Sequence, residues 1–232
     1  MADVTIPVSQ SLRAYLAEPT GDGPWPGVIV IHDAFGMTPD ARAQADWLAS
    51  NGFLAVTPDL YTRGNRVACM VATFRDIAAR KGRAFDDIEG VRSWLAARDD
   101  CTGKVGVIGF CMGGGFALIL SADRGFAASS VNYGTVPDDA DDLLAEACPI
   151  VGSFGGRDRG LRGAADRLHH ALVVNGVGRD IKEYPDAGHS FLNDHQSIWF
   201  TLLGKMMGLG YHEEAATDAR RRIIAFFDHE LR

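Results

Sequence analysis

The sequence predicts one α/β domain over residues 1–232, a mostly parallel, twisted sheet with helices on both faces. Three observations lead there. Short apolar runs at residues 27–31, 105–110 and 149–154 read as strands covered on both sides, which is how parallel sheets are buried. These runs alternate with segments of helical periodicity, and short loops join them, as strand–helix–strand units require. A chain of 232 residues that is 47% hydrophobic can fill one large core.

Residues 3–8 and 11–17 alternate apolar and β-branched residues and stop at Pro19-Thr20-Gly21-Asp22-Gly23-Pro24, so they form an antiparallel edge. The strand at 27–31 ends in His32-Asp33-Ala34-Phe35-Gly36, where a functional loop is expected. Pro39 opens a helix that carries Ala41, Ala45, Trp47 and Leu48 and closes at Asn51-Gly52, and a strand follows at 53–57. Pro58-Asp59-Leu60-Tyr61 then starts a long connection through Arg66. Phe85, Ile88, Val91, Trp94 and Leu95 recur at helical spacing within 84–98 and cover one sheet face. After the strand from Val105 come a helix continuing over 116–122, a strand at 126–133 and a short polar helix at 138–147. The strand at 149–154 breaks into Gly155-Gly156-Arg157-Asp158, a helix spans 161–174, and the strand at 179–184 leads into Pro185-Asp186-Ala187-Gly188-His189-Ser190-Phe191. An amphipathic helix at 213–231 ends the chain. Before it, residues 198–210 are apolar yet broken by Gly204, Gly208 and Gly210, and read as a short helix packed on the core or at a subunit contact rather than as a lid.

Composition bounds the function. The 23 basic and 30 acidic residues give a net charge of −7 with no basic cluster, which argues against nucleic acid and anionic membranes as partners. No basic, apolar leader opens the chain and no apolar run is long enough to span a bilayer, so a cytoplasmic protein is expected, as monomer or homodimer. The cysteines, Cys69, Cys101, Cys111 and Cys148, show no C-x-x-C spacing, so free thiols and no structural metal are expected.

The chemistry gathers around Gly109-Phe110-Cys111-Met112-Gly113-Gly114. A nucleophile on a sharp strand-to-helix turn needs glycines two residues either side, because a Cβ there would strike the adjoining backbone. The N–H of Met112, opening the next helix, faces where an oxyanion would form. By itself G-x-C-x-G fits a buried structural cysteine equally well. Residues just past strand ends meet in space whatever their sequence separation, and Asp158 and His189 both fall there. Nucleophile, acid and histidine then occur in the order of α/β-hydrolases. His189 is the candidate base, and Asp158 the acid that orients it, with Asp186 and Asp194 as rival acids in the histidine's own loop. A glutamine-amidotransferase-like enzyme would carry glutamate two residues after its histidine, where this chain has Phe191. A redox-sensing or binding protein with a reactive Cys111 is the other alternative.

With these motifs, together with His32-Asp33-Ala34-Phe35-Gly36, Pro58-Asp59-Leu60-Tyr61 and Ala187-Gly188-His189-Ser190-Phe191, the chain resembles the dienelactone hydrolase family of cysteine α/β-hydrolases over nearly its whole length. The resemblance implies an α/β-hydrolase fold and hydrolysis of a small lactone or ester through an acyl-enzyme, with no cofactor. It implies Cys111 as nucleophile, His189 as base, Asp158 as acid, and an oxyanion hole from the backbone N–H groups of Ala34 and Met112. Asp33 stands where the best-known members have a glutamate that modulates the thiol, and Asn193 where they have an arginine for the substrate carboxylate. Phe35, Tyr61, Tyr133, Phe191 and Asn193 are the candidate pocket residues. Arg63, Arg66 and Arg75 are read as solvated surface residues rather than substitutes for the missing arginine.

Overall fold

The computed structural model describes residues 1–8, 10–194 and 210–232. Eight strands form one sheet in the order β1-β2-β4-β3-β5-β6-β7-β8. They are β1 (Ala2–Ile6), β2 (Leu12–Ala17), β3 (Trp25–Ile31), β4 (Leu54–Pro58), β5 (Cys101–Phe110), β6 (Ala128–Asn132), β7 (Ile150–Gly155) and β8 (Arg179–Tyr184). The pairs β1/β2 and β2/β4 are antiparallel and the other five are parallel. The helices are α1 (Pro39–Ser50), α2 (Arg66–Ala79), α3 (Arg83–Ala96), α4 (Met112–Leu120), α5 (Ala140–Leu143), α6 (Ala164–Val174) and α7 (Glu213–Leu231).

Alternation along β3 shows how the layers form. Ile29 and Ile31 pack with Phe85, Ile88, Val91 and Leu95 of α3 and with Phe116 of α4. Val28 and Val30 face the other way, against Ala45 and Leu48 of α1 and Ala219, Ile223 and Phe227 of α7. Successive side chains point to opposite faces, so a strand apolar at every position needs helices on both. From β3 the chain first adds β4 on one side and then crosses to add β5 on the other. The crevice outside the carboxyl ends of β3 and β5 is therefore the topological switch point, where open α/β sheets bind ligands.

Four elements differ from the sequence reading. Helix α2 begins where the connection through Arg66 ends, over residues for which the sequence predicts no element. The Asn65 side chain caps it by accepting from the N–H groups of Val67 and Ala68, and left-handed Arg80 closes it. β5 begins at Cys101, paired with Trp25 across an irregularity in the register. α5 is a single turn rather than a helix over 138–147. α6 starts at Ala164 because Gly163, at φ 71°, interrupts the run from Leu161. Within the stretch 198–210 only Gly210 lies inside the described residues. Among the described residues no helix is long and apolar enough to cross a membrane, and no cluster of His, Cys, Asp and Glu is placed to hold a metal.

Candidate active site

Between the end of β5 and the start of α4 stands one residue, Cys111, with φ 55° and ψ −113°. Residues with a side chain rarely adopt positive φ, and such strain persists only where the surroundings dictate it. They do so here at backbone contact distance. A Cβ on Gly109 would lie 1.9 Å from the Gly113 carbonyl oxygen, and one on Gly113 2.2 Å from that of Ile31. The Cys111 N–H donates to the Asn132 carbonyl at 3.1 Å, and the Cys111 carbonyl accepts from the Gly115 N–H at 3.2 Å. Strand β5, helix α4 and the end of β3 thus meet on glycines and fix the half-buried thiol. Met112 opens α4, so its N–H has no intrahelical acceptor.

The loop after β3 lies alongside. Its turn is closed by the Phe35 N–H donating to Asp33 Oδ1 at 2.8 Å and the Gly36 N–H donating to the Asp33 carbonyl at 3.1 Å. The Tyr61 hydroxyl reaches both the Ala34 carbonyl (3.2 Å) and Met112 Sδ (3.6 Å), so the two proposed oxyanion-hole residues share one phenol. Burial pushes that phenol up to about 12, which keeps it a donor.

On the other side, Asp158 and His189 meet: His189 Nδ1 lies 2.5 Å from Asp158 Oδ2, while Asp158 Oδ1 accepts from the Gly160 N–H at 3.0 Å. Glycines again permit the approach. A Cβ on Gly155 would lie 2.5 Å from the Gly188 carbonyl oxygen, and the Arg157 N–H donates to the Ala187 carbonyl at 2.9 Å. Burial alone would lower the basicity of His189, but the bond from Asp158 and the interaction with the Cys111 sulfur outweigh it and raise the imidazole to about 10. The site therefore favours an imidazolium between a carboxylate and the thiol group. The rival acids are elsewhere: Asp186 is exposed and paired with Arg157 at 2.5 Å, and exposed Asp194 presents its N–H to Asp40.

Several pocket expectations need correction. Phe191 is fully buried between Tyr133 and Tyr184, with ring centroids 5.4 and 5.1 Å away, so it supports the histidine loop from the core. Asn193 also turns inward. Its Nδ2 donates to Asp40 Oδ2 at 2.5 Å and its Oδ1 accepts from the Tyr133 hydroxyl. Tyr133, at φ 39° and almost wholly buried, sets its ring edgewise to His189 with centroids 5.2 Å apart; burial raises its phenol well above the usual value. Only Phe35, 41% exposed, presents an open apolar surface among the five candidates. Arg63 is not a solvated surface residue, since it pairs with nearly buried Asp87 at 3.1 Å and also donates to the Gln10 carbonyl. Arg66 donates to the Phe35 carbonyl, and Arg75 is exposed.

Two contributors had no role in the sequence reading. Asp40 in the first turn of α1 looks like an ordinary helix-dipole partner, yet it accepts from Asn193 and from the Asp194 N–H at 2.9 Å. Buried His32 links the loops after β3 and β4. Its place in the loop motif was the only signal.

The profile of the dienelactone hydrolase family matches residues 12–231. The chain belongs to that family. As a dienelactone hydrolase family member it is 29% identical over 236 residues to a Salmonella typhimurium protein named "Putative carboxymethylenebutenolidase", covering 93% of this chain and 82% of the relative. The relative of the same name from Saccharolobus solfataricus is 26% identical over 252 residues, covering 93% of both chains. Among solved structures, a Klebsiella pneumoniae protein titled as a dienelactone hydrolase superposes with a TM-score of 0.79 at 26% identity, covering 98% of this chain and 97% of that one. A dienelactone hydrolase-like promiscuous phosphotriesterase from metagenomic libraries reaches 0.81 at 19% identity, a likeness of fold. The fold is that of α/β-hydrolases, and the family is one of hydrolases.

Proposed function

We propose that this family member hydrolyses a small lactone or carboxylic ester, with Cys111 as nucleophile, His189 as base and acid, and Asp158 as the group that orients the imidazole. One observation carries the reading: the 2.5 Å Asp158–His189 contact stands beside a cysteine in a strained, glycine-enclosed turn. With Nδ1 committed to Asp158, Nε2 is the nitrogen left to exchange a proton with the thiol. The thiolate attacks the ester carbonyl, the oxyanion collects the N–H groups of Ala34 and Met112, and His189 protonates the departing oxygen. Water, deprotonated by the same nitrogen, then cleaves the thioester and restores the thiol. None of these steps needs a cofactor. Asp33, whose carboxylate lies within the oxyanion loop, tempers the charge on the thiol.

The relatives' name, carboxymethylenebutenolidase, favours a lactone. The inward turn of Asn193 favours a neutral one, because no cation stands at that position. The amidotransferase-like and redox-sensing alternatives draw no support from the family match. Turnover of 4-nitrophenyl acetate, dihydrocoumarin and an anionic dienelactone by wild type and Cys111→Ala tests the reading. Wild type should hydrolyse at least one, and folded Cys111→Ala should lose about 10³-fold or more. Retention of wild-type turnover by the variant would overturn the assignment.

A further inference from the structure

We propose that His32 is a positioning residue for the oxyanion hole: held in one tautomer between two loop backbones, its ring sets the plane of the Asp33–Ala34 peptide and so the direction of the Ala34 N–H. The proposal rests on the ester-hydrolase reading above. His32 is 1% exposed, and its two ring nitrogens have partners of opposite kind. Nε2 lies 3.2 Å from the Leu60 N–H, which can only donate; Nδ1 lies 2.7 Å from the Asp33 carbonyl oxygen, which can only accept. A neutral imidazole with its proton on Nδ1 satisfies both, and neither the other tautomer nor the imidazolium does. Burial pushes the imidazole below its ordinary value despite the nearby carboxylates, consistent with a neutral ring.

The Asp33 carbonyl belongs to the peptide whose N–H is that of Ala34. In a planar trans peptide the two groups point in opposite directions, so gripping one aims the other. The Gly36 N–H grips the same carbonyl from within the loop at 3.1 Å, and His32 adds the hold that ties the peptide to the β4 loop. Ala34 in turn lies beside Met112, since one phenol reaches both residues. The Tyr61 ring closes the frame, edgewise to His32 at 4.9 Å between centroids.

A misdirected donor is felt only where negative charge builds on oxygen, and removal of one such donor costs about 10²–10³ in kcat. His32→Phe should therefore lower kcat on 4-nitrophenyl acetate by about 10²-fold with KM within about threefold. Alkylation of Cys111 by iodoacetamide forms no oxyanion, so its rate should stay within about twofold of wild type. His32→Asn, which keeps an N–H near the place of Nδ1, should recover at least about tenfold of the kcat loss. Long-range ¹H–¹⁵N correlation on ¹⁵N-histidine-labelled wild type, with His32 assigned by its loss in His32→Asn, should show the neutral Nδ1–H tautomer throughout pH 5–9. An imidazolium or Nε2–H signal would overturn the proposal whether or not the variants fold. So would kcat within threefold of wild type in His32→Phe, or parallel losses of kcat and alkylation rate. If wild type hydrolyses no ester, the functional reading falls by itself, and the tautomer still reports on His32.

Discussion

The turn between β5 and α4 that carries Cys111 is held by backbone, whereas the loop after β8 that carries His189, with α1 behind it, is fastened by side chains. On the first side Gly109, Gly113 and Ile31 pack with no room for a Cβ, and strained Cys111 follows from that packing. On the second, His189 depends on Asp158, and its loop is fastened through Asn193, Tyr133 and Asp40. Glycine packing has few alternatives, while hydrogen-bonded side chains admit protonation and exchange. The backbone-built side suits charge stabilisation, which must be rigid, and the side-chain-built side suits proton transfer, which must be reversible.

The largest effect expected from this division lies in the histidine pair. His189→Ala should lower kcat/KM by about 10³–10⁴-fold, and Asp158→Ala, acting through the imidazole, should add little in the double variant. Steady-state kinetics of the three variants check this, and fully multiplicative losses would separate Asp158 from His189. The pH profile sharpens it. His189 is raised to about 10, so the high-pH limb of wild-type kcat/KM should fall near that value as the imidazolium is lost. Asp158→Asn removes the raising carboxylate and should shift that limb to lower pH. The same sign governs stability: the share from imidazolium pairing is complete below the unfolded histidine value of about 6.5 and disappears as pH rises through about 10.

A smaller effect should come from the buried fastening. Asn193→Leu strands Asp40 and the Tyr133 hydroxyl without their shared partner, at a cost of about 1–3 kcal/mol for a buried polar group. Urea unfolding should register that loss, and kcat should fall by about tenfold as the histidine loop loosens. Unchanged stability would mean that the core side of the loop is held by Phe191 packing alone.

How much of this was legible depends on what enforces each feature. The elbow could be read from sequence because its glycines are a steric requirement at fixed spacing, and α7 because its apolar residues recur at helical spacing. Helix α2 was not legible, since Cys69 and Thr73 are its buried positions while Val67, Val71 and Phe74 are exposed, which masks the usual apolar stripe. Phe191 and Asn193 turn into the core for a conformational reason. Ser190 takes φ 63°, which turns the chain just after His189 and sends the following residues into the core. No local pattern announces a left-handed serine. The bonds that give Asp40 and His32 their roles are not legible locally, because their partners Asp194 and Leu60 are 154 and 28 residues away.

The smallest expected effect concerns Asp33. Its Oδ1 accepts the Phe35 N–H, a bond that an asparagine carbonyl can also make, so Asp33→Asn should keep that turn while removing the charge. With less opposing charge near the thiolate, alkylation of Cys111 by iodoacetamide at neutral pH should rise by about two- to threefold. Mass spectrometry of the labelled peptide gives the rate. An unchanged or slower rate would leave Asp33 as a turn residue.

The claim on which the functional account rests is that an acyl group passes through Cys111. Rapid acid quenching during turnover of a slowly hydrolysed aryl ester, followed by intact-mass and peptide mass spectrometry, tests it most directly. The account predicts a transient mass increase equal to the acyl group, located on the Cys111 peptide and lengthened in lifetime by His189→Ala if that variant acylates at all. Steady turnover with no adduct at any quench time, or an adduct on another residue, would contradict it.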